Sequence, residues 1–333
     1  MAYISFQPND YFNTKLYTGN GSTNAQTGLG FQPDWVWLKG RSNSGSHKLM
    51  DAVRGSSSSL CTNNSNAAEG ADYFSSFDSD GFTVATTSND INANGQTYVG
   101  WNWKANGQGS ANTDGTVNST YTSASSTSGF SIVKWTHTTS GNYTVGHGLN
   151  ATPKMIIVKT TSATTNWGVY HSALTVGQRL ILNSNSAQTT GYWGANAWNN
   201  NTFSIGSNRD SNGTTMIAYC FADVQGFSKI GSYVGNGNAD GSFVYTGFKP
   251  AWVLIKDYGR AESWYLYDNK RLGYNGQMGD FLVNTTAYEG TDYAIQVDLL
   301  SNGFKIRSTI GHLNGSGENF IYMAFAEEPL VSS

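Results

Sequence analysis

The chain has 333 residues, a formal net charge of -3 at pH 7 and only 12% charged residues, which excludes the concentrated positive field that nucleic-acid phosphates require. Its apolar fraction of 38% is unusually aromatic, with 10 Trp, 19 Tyr and 16 Phe, and 39 Gly supply turn positions. This composition favours strands and tight turns over helices. A chain of this length predicts two or three compact units.

Five sequence blocks recur in the same order along the chain. In the first copy they are YFNTKLYTGNGS (11–22), GLGFQPDWVWLK (28–39), HKLMDAVRG (47–55), SDGFTV (79–84) and TYVGWNWKA (97–105). The middle copy is weaker, with GFSIVKWT (129–136), GHGLNATPKMIIVK (146–159), NWGVYHS (166–172), NTFSIG (201–206) and TMIAYCFAD (215–223). The last copy reads GFSKIGSYVGNG (226–237), YTGFKPAWVLIK (245–256), WYLYDNKRLG (264–273), LSNGFKIR (300–307) and FIYMAFAE (320–327). Such self-similarity predicts tandem duplication.

Within each copy the apolar pattern is that of strands. The run from Trp35 to Lys39 is continuously aromatic or aliphatic, as expected for a short strand that is buried on both faces. Residues 98–103 alternate, which places Tyr98, Gly100 and Asn102 on one face and Val99, Trp101 and Trp103 on the other. Turn signals such as GNG and SDG separate the strands. The predicted fold is all-β, with three tandem antiparallel β-sandwiches of jelly-roll or concanavalin-like type.

The predicted domain boundaries follow the copies. We assign the first unit to residues 1–105, the second to 129–225 and the third to 226–333. Between the first two lies a Gly-, Ser-, Thr- and Asn-rich stretch, 106–128, which reads as a flexible linker or an extended arm. The third unit follows the second without a spacer. We therefore expect the second and third units to pack rigidly and the first to pivot.

Two carboxylate and guanidinium pairs occur at matching places in the first and third units: Asp51 with Arg54, and Asp268 with Arg271. Such a pair can prepare a catalytic site, or it can lock a turn as a bidentate structural pair. Duplication favours the structural role, because a catalytic pair is rarely needed in every module. His47 aligns close to Trp264, which indicates a packing position.

The middle copy carries an aromatic loop, GYWGANAWNNN (191–201), that has no equivalent in the other copies. Exposed rings among amides can stack on sugar faces while the amides reach hydroxyl groups. The same mixture is found at protein interfaces and in buried structural plugs. The candidate ligand-binding residues are Tyr192, Trp193, Trp198 and Asn199, with all three interpretations open.

Other motifs of chemistry are missing from the sequence. There is no nucleophile elbow, Walker loop, dinucleotide fingerprint or paired metal-ligand spacing, so we predict no cofactor, no metal and no enzymatic activity. Cys61 and Cys220 are expected to be free thiols, with Cys220 in the core. Without a signal peptide or a long apolar stretch, we expect the chain to be made in the cytoplasm and not to insert into a membrane.

Taken together, the ordered motifs carry a family resemblance. YTGNG, GFQPDWVWLK, LMDAVRG, SDGF, WNWKA, GFSIVKW, GHGL, PKMIIVK, AYCFADVQGFSKIGSY and IYMAFAE, from about residue 11 to about residue 327, resemble a repeat family of tailed bacteriophages of marine and freshwater bacteria. The resemblance implies a virion structural protein with concanavalin-like or jelly-roll units on a head or tail surface. It implies no catalytic residues.

The expected function is therefore that of a non-enzymatic virion surface protein, either a head decoration protein or a tail fibre or spike-associated subunit. Its expected partners are other virion proteins and copies of itself, with a trimer as the first expectation and a monomer at a threefold site as the alternative. The rival class is an adhesin that binds host surface polysaccharide. A glycan depolymerase would need two facing carboxylates, and the sequence names no such pair.

Overall fold

Strands dominate the architecture of the protein. The computed structural model describes residues 7–139, 141–191, 193–194, 198–206, 209, 211–271, 275, 279–290 and 296–328. In these ranges the helical elements are a 3-10 turn at Pro8–Asp10 and a four-residue helix, α1 (Gly311–Asn314). The strands form antiparallel sheets. The predicted all-β fold is confirmed, whereas the division into three tandem repeats stays a prediction.

The first unit contributes nine strands in two sheets. They are β1 (Phe12–Thr18), β2 (Asn24–Thr27), β3 (Trp35–Gly40), β4 (Lys48–Asp51), β5 (Ser58–Cys61), β6 (Glu69–Gly70), β7 (Phe74–Asp78), β8 (Gly81–Val84) and β9 (Thr97–Trp103). The large sheet has the order β1-β9-β3-β4-β5-β6, and the small sheet has the order β2-β8-β7.

The described residues of the middle part of the chain also form nine strands. They are β10 (Tyr121–Ser125), β11 (Phe130–Thr136), β12 (Tyr143–Gly146), β13 (Met155–Thr160), β14 (Gly168–His171), β15 (Gln178–Ile181), β16 (Thr189–Thr190), β17 (Thr202–Ile205) and β18 (Thr215–Phe221). The large sheet has the order β10-β11-β18-β13-β14-β15-β16, and β12 pairs with β17 in a small sheet.

The third unit contributes eight strands among the described residues. They are β19 (Ser228–Val234), β20 (Phe243–Tyr245), β21 (Trp252–Asp257), β22 (Trp264–Asp268), β23 (Phe281–Leu282), β24 (Val297–Leu300), β25 (Gly303–Ile306) and β26 (Asn319–Phe325). Their sheets have the orders β19-β26-β21-β22-β23 and β20-β25-β24. The cores of the three large sheets, β1-β9-β3-β4-β5, β11-β18-β13-β14-β15 and β19-β26-β21-β22-β23, therefore follow one order.

Each large sheet is buried on both faces, which explains its continuously apolar strands. In β3, Val36 and Leu38 face the small sheet and pack with Phe82, while Trp35 and Trp37 face the other way. The predicted faces of β9 are confirmed. Tyr98 lies in the inner core, which is the one between the large and small sheets of its unit, and Trp101 and Trp103 lie in the outer core, on the opposite face of the large sheet. Every second residue of these strands therefore enters a different core.

The outer faces of the three large sheets meet in one shared core. The ring of Trp35 lies 4.8 Å from that of Tyr219 in the second unit. Trp103 meets Trp252 of the third unit at 5.5 Å, and Phe221 of the second unit meets Phe325 of the third at 6.0 Å. Aromatic contacts thus join every pair of units. The expectation that the first unit pivots is wrong, because its large sheet forms part of this core.

Backbone hydrogen bonds close the three units into a ring. We call the contact between two neighbouring units a seam, and the same bond recurs at each one. The three bonds are Ala68 N to Thr161 O at 2.7 Å, Gln188 N to Tyr258 O at 2.8 Å, and Glu289 N to Arg41 O at 3.1 Å. Each unit therefore extends one loop to a single neighbour, and the third returns to the first. Head-to-tail contacts of this kind produce a closed ring when the rotation closes.

Ring N–H groups repeat the same cyclic pattern. Trp167 Nε1 donates to Cys61 O at 2.8 Å, and Trp264 Nε1 donates to Ile181 O at 3.0 Å. His47 holds the equivalent place in the first unit. Burial lowers the pKa of His47 well below 6.5, and the backbone of Leu282 opposes that shift. The packing position predicted for His47 is thus a seam position.

Buried lysines at equivalent places also cross the seams. Lys39 Nζ donates to Thr286 O of the third unit at 3.0 Å, and Lys159 Nζ donates to Ser65 O of the first at 3.3 Å. The lysine that ends each of the apolar runs WVWLK and MIIVK therefore donates to carbonyl oxygens of its own unit and to one of a neighbouring unit.

The stretch predicted as a linker is docked on the second unit over much of its length. Its end forms the edge strand β10, and Ser110 pairs with Thr122. Val117 N donates to Thr144 O at 3.0 Å along the edge of the small sheet. Gly109 has φ +70, and a Cβ there would lie 2.1 Å from Thr122 O. Of the two sequence-based alternatives, the structure favours the extended arm, with glycine permitting close backbone approach.

Candidate functional site

The Asp51 and Arg54 pair lies at the seam between the first and second units. Arg54 Nε donates to Asp51 Oδ2 at 2.6 Å, and both side chains are at most 3% exposed. The backbone N–H of Arg54 donates to Asp51 Oδ1 at 2.8 Å, which closes the turn after β4. Tyr219 Oη, from the second unit, donates to the same carboxylate at 2.7 Å. The pair therefore holds a local turn and accepts a hydrogen bond from a neighbouring unit.

Asp268 and Arg271 repeat this geometry at the seam between the third and first units. Arg271 Nε donates to Asp268 Oδ2 at 2.6 Å, and Trp101 Nε1 of the first unit donates to the same oxygen at 2.9 Å. Arg271 also binds Glu289, 3.2 Å away, whose other oxygen accepts from Arg41 of the first unit at 2.6 Å. Here the seam is a buried network with two arginines and two carboxylates.

The second unit has different residues at the positions of the Asp and Arg pair. His171 stands where Asp51 and Asp268 stand, and Leu174 replaces the arginine. The matching residue of β26 is Met323, which has no hydrogen to donate. His171 Nδ1 accepts from Ala173 N at 3.1 Å, and its Nε2 lies 3.4 Å from Tyr322 O of the third unit. The second unit therefore lacks the acceptor Asp at the seam where the third unit lacks an aromatic donor.

Electrostatics at these seams favour structure over catalysis. Burial opposes the charge of Arg54, but Asp51 outweighs it and the pKa of the guanidinium is raised. Burial likewise raises the pKa of the Tyr219 hydroxyl well above 10, and Asp51 raises it further. Asp51 and Asp268 side chains are 0% exposed. A substrate cannot reach these carboxylates without separating two units.

The family to which the chain belongs spans all three large sheets. Residues 7–329 match the model of a family described as a domain of unknown function, DUF7483. The protein is a member of the DUF7483 family. A comparison with curated proteins gives no match.

The structure places the aromatic loop of this DUF7483 protein partly in the core, although the sequence left a sugar surface, a protein interface and a buried plug all open. Trp193 is only 8% exposed and packs in the inner core of the second unit. Trp198 is half-buried and stacks on Tyr170 with ring centres 3.9 Å apart. Asn199 Oδ1 accepts from the backbone of Thr202 at 2.8 Å. Trp193 therefore fits the interpretation as a buried plug, and Tyr192 lies outside the described residues; ligand binding by this loop stays a prediction.

Other candidate chemistry in the DUF7483 chain is sparse. In the described ranges no three His, Cys, Asp or Glu side chains are grouped so that they could hold a metal ion. Cys61 and Cys220 are free and buried, and burial raises the pKa of the Cys220 thiol. No helix among the described residues is long and apolar enough to cross a membrane.

The sequence did not reveal the partners of the two Asp residues. Trp101 and Tyr219 occupy the same place in the last block of their copies, TYVGWNWKA and TMIAYCFAD. That shared position is the signal in the sequence that the two rings have equivalent roles, but it does not show which neighbouring unit each ring contacts. Only the cyclic arrangement shows that each ring serves the Asp of a different unit.

The buried His171 is expected to make this protein less stable in acid. Burial lowers the pKa of His171 to about 4, with the Tyr322 carbonyl opposing the shift, so between about pH 6.5 and 4 the unfolded chain binds a proton that the folded chain does not. Stability from the neutral ring is present above pH 6.5 and is lost as pH falls toward 4, by about 3 kcal/mol over the full interval. Urea unfolding at pH 7 and pH 4.5 measures this loss.

The control is His171→Asn, which keeps a small polar side chain that does not titrate. The variant is expected to lose less stability than the wild type between the two pH values. An equal loss in both proteins would show that His171 is not responsible.

Proposed function

We propose that the protein is a non-enzymatic surface component of a tailed-bacteriophage virion, either a head decoration protein or a tail fibre or spike-associated subunit. It would act by presenting rigid, weakly charged faces to neighbouring virion proteins. The motif resemblance supplies the phage context. The observation that supports a structural role best is the closure of three units into a ring within one chain.

The ring explains how one chain could serve a threefold environment. The three equivalent seam bonds give the units a cyclic order, so the outward small sheets are distributed around one body. Such a body can meet three similar neighbours without forming a trimer itself. A homotrimer, which is the first expectation from the sequence, stays a prediction beside this monomeric arrangement, and size-exclusion chromatography with light scattering separates the two.

Immunogold electron microscopy of purified particles tests the virion role. An antibody to the full chain is applied to density-purified particles, with an antibody to the major capsid protein as the control for access. Label over heads supports decoration, and label at tails supports a fibre or spike role. If the protein is abundant in the lysate but leaves no label on the particles, the virion proposal fails.

A second candidate function is that of an adhesin for host surface glycans. Half-buried Trp198 beside exposed Asn199 and Asn200 favours it, because a ring edge next to amides can contact sugar. Trp198→Ala is expected to weaken cell binding and to leave incorporation into particles intact. Loss of the protein from particles would instead assign Trp198 to assembly, and unchanged cell binding would remove it from recognition.

A further inference from the structure

The third unit contains a cavity of about 330 Å³ beside the loop that carries the seam residue Glu289. Six of its lining residues carry the argument: Tyr265, Asp280, Tyr288, Gln296, Ile310 and His312. The volume lies at the lower end of the range of small-molecule sites, which begins at about 300 Å³. It can hold a small polar ring, but not a large cofactor.

The cavity combines flat rings with polar groups. The rings of Tyr265 and His312 are parallel within 6°, with centres 4.1 Å apart. Tyr288 is 58% exposed, although it is a large aromatic side chain. Among the described residues, the buried Nε2 of His312 has no hydrogen-bond partner. A buried polar atom without a partner calls for a bound group or water.

Gln296 and Asp280 add hydrogen-bonding capacity to the same wall. Gln296 Oε1 accepts from Tyr267 Oη at 2.5 Å, which fixes the orientation of the amide. The amide therefore presents N–H donors, whereas the carboxylate of Asp280 is an acceptor. Donors and acceptors placed beside a ring match the alternating hydroxyl groups of a sugar.

The first unit shows that the fold does not require these rings. Lys48 stands at the position of Tyr265, three residues before the matching Asp. Asp90 stands at the position of His312, since the next residues, Ile91 and Leu313, accept from equivalent tyrosine hydroxyls. In the first unit these positions form an ion pair, with Lys48 Nζ 3.4 Å from Asp90.

The rim of the cavity also carries an aromatic ring in the third unit but not in the first. The third unit reads AYEG at 287–290, and the first reads AAEG at 67–70. Tyr288 thus replaces a small residue with an exposed ring that contributes little buried area. Three aromatic rings therefore line this cavity in the third unit, where the first unit has an ion pair and alanine.

We propose that this cavity binds one sugar ring of a glycan, with Tyr288 and the outer face of His312 as stacking surfaces and Asp280, Gln296 and His312 as hydroxyl partners. The inference rests on the second candidate function and gives the glycan a site in a different unit. Burial lowers the pKa of His312 to about 4, so the ring is neutral at pH 7 and can exchange hydrogen bonds with hydroxyls. The parallel Tyr265 and His312 rings do not form the cage that a quaternary ammonium ion needs.

The test uses the full chain on a microarray of bacterial surface oligosaccharides, followed by titration of the strongest ligand. Wild-type protein is expected to bind at least one oligosaccharide. Tyr288→Ala, which installs the residue of the first unit, is expected to bind about tenfold more weakly. The control is Tyr245→Thr: Tyr245 is 64% exposed on β20 of the same unit, and Thr27 holds its place in the first. The affinity of the Tyr245→Thr variant for the oligosaccharide is expected to equal that of the wild type.

A second variant guards against misfolding as an explanation. Tyr265→Lys with His312→Asp installs the ion pair of the first unit and is expected to keep the melting temperature while abolishing binding. The proposal is overturned if no oligosaccharide binds, if Tyr288→Ala binds normally, or if Tyr245→Thr is the variant that loses affinity. Saturation of the cavity by choline chloride would also overturn it. Since binding is measured on the isolated chain, its failure leaves the immunogold result unaffected.

Discussion

Replacing Asp51 with alanine is expected to lower the free energy of unfolding by about 3 to 5 kcal/mol, because it leaves a buried arginine without its counter-charge. The Arg54 side chain is only 3% exposed and has no route to water. Tyr219 Oη loses its acceptor at the same time, so one substitution weakens both the turn and the contact between two units. Urea unfolding at pH 7, followed by tryptophan fluorescence, measures the effect.

The matched control is an ion pair of the same N–O distance at the surface. Lys229 Nζ lies 2.6 Å from Asp223 Oδ2, but the lysine side chain is 42% exposed. Lys229→Ala is expected to cost less than about 1 kcal/mol, since exposed pairs contribute little. If Asp51→Ala were no more destabilising than Lys229→Ala, the seam would not depend on its buried charges.

The first unit expressed alone, as residues 1–105, is expected not to form a stable monomer. Trp35, Trp37, Trp101 and Trp103 are at most 1% exposed in the full chain, and all four belong to the shared core. Removal of the other units would turn this face toward water. A large apolar patch of this kind leads to association or loss of fixed packing.

Size-exclusion chromatography and near-ultraviolet circular dichroism of the fragment, beside the full chain in the same buffer, give the result. Aggregation, or loss of the aromatic signal, is expected. A monomeric fragment with a sharp melting transition would mean that the sandwich is self-sufficient and that the shared core adds little.

Local sequence patterns predicted the strands but not their outer partners. The alternation at 98–103 placed Tyr98 and Trp101 on opposite faces, because strand periodicity is a property of neighbouring residues. The run around Trp35 and Trp37 indicated burial on both faces. No local pattern shows that the second face contacts other units. The sequence alone therefore predicts a first unit that pivots.

The linker and the aromatic loop show why composition alone misleads. Gly109 lies in a stretch that reads as flexible, yet its lack of a side chain permits a close backbone approach. Trp193 stands among Gly and Asn, which suggests exposure, but its ring fills the inner core of the second unit. In both cases the decisive contacts are with residues far away in the chain.

At the candidate sites, only the short-range part was predictable. Asp51 and Arg54 are three residues apart, so a turn brings them together. Tyr219 is 168 residues from Asp51, and the cavity brings Tyr265 of β22 beside His312 of α1, with β23, β24 and β25 between them in the chain. Such pairings depend on how the units and loops close, which no single segment encodes.

The central claim is that the three large sheets form one cooperative body around a shared aromatic core. Differential scanning calorimetry of the full chain tests it most directly, because cooperative unfolding makes the calorimetric and van't Hoff enthalpies equal. We expect one transition with a ratio close to one. Separate transitions, or a calorimetric enthalpy about three times the van't Hoff value, would show that the units unfold independently and would contradict the shared core.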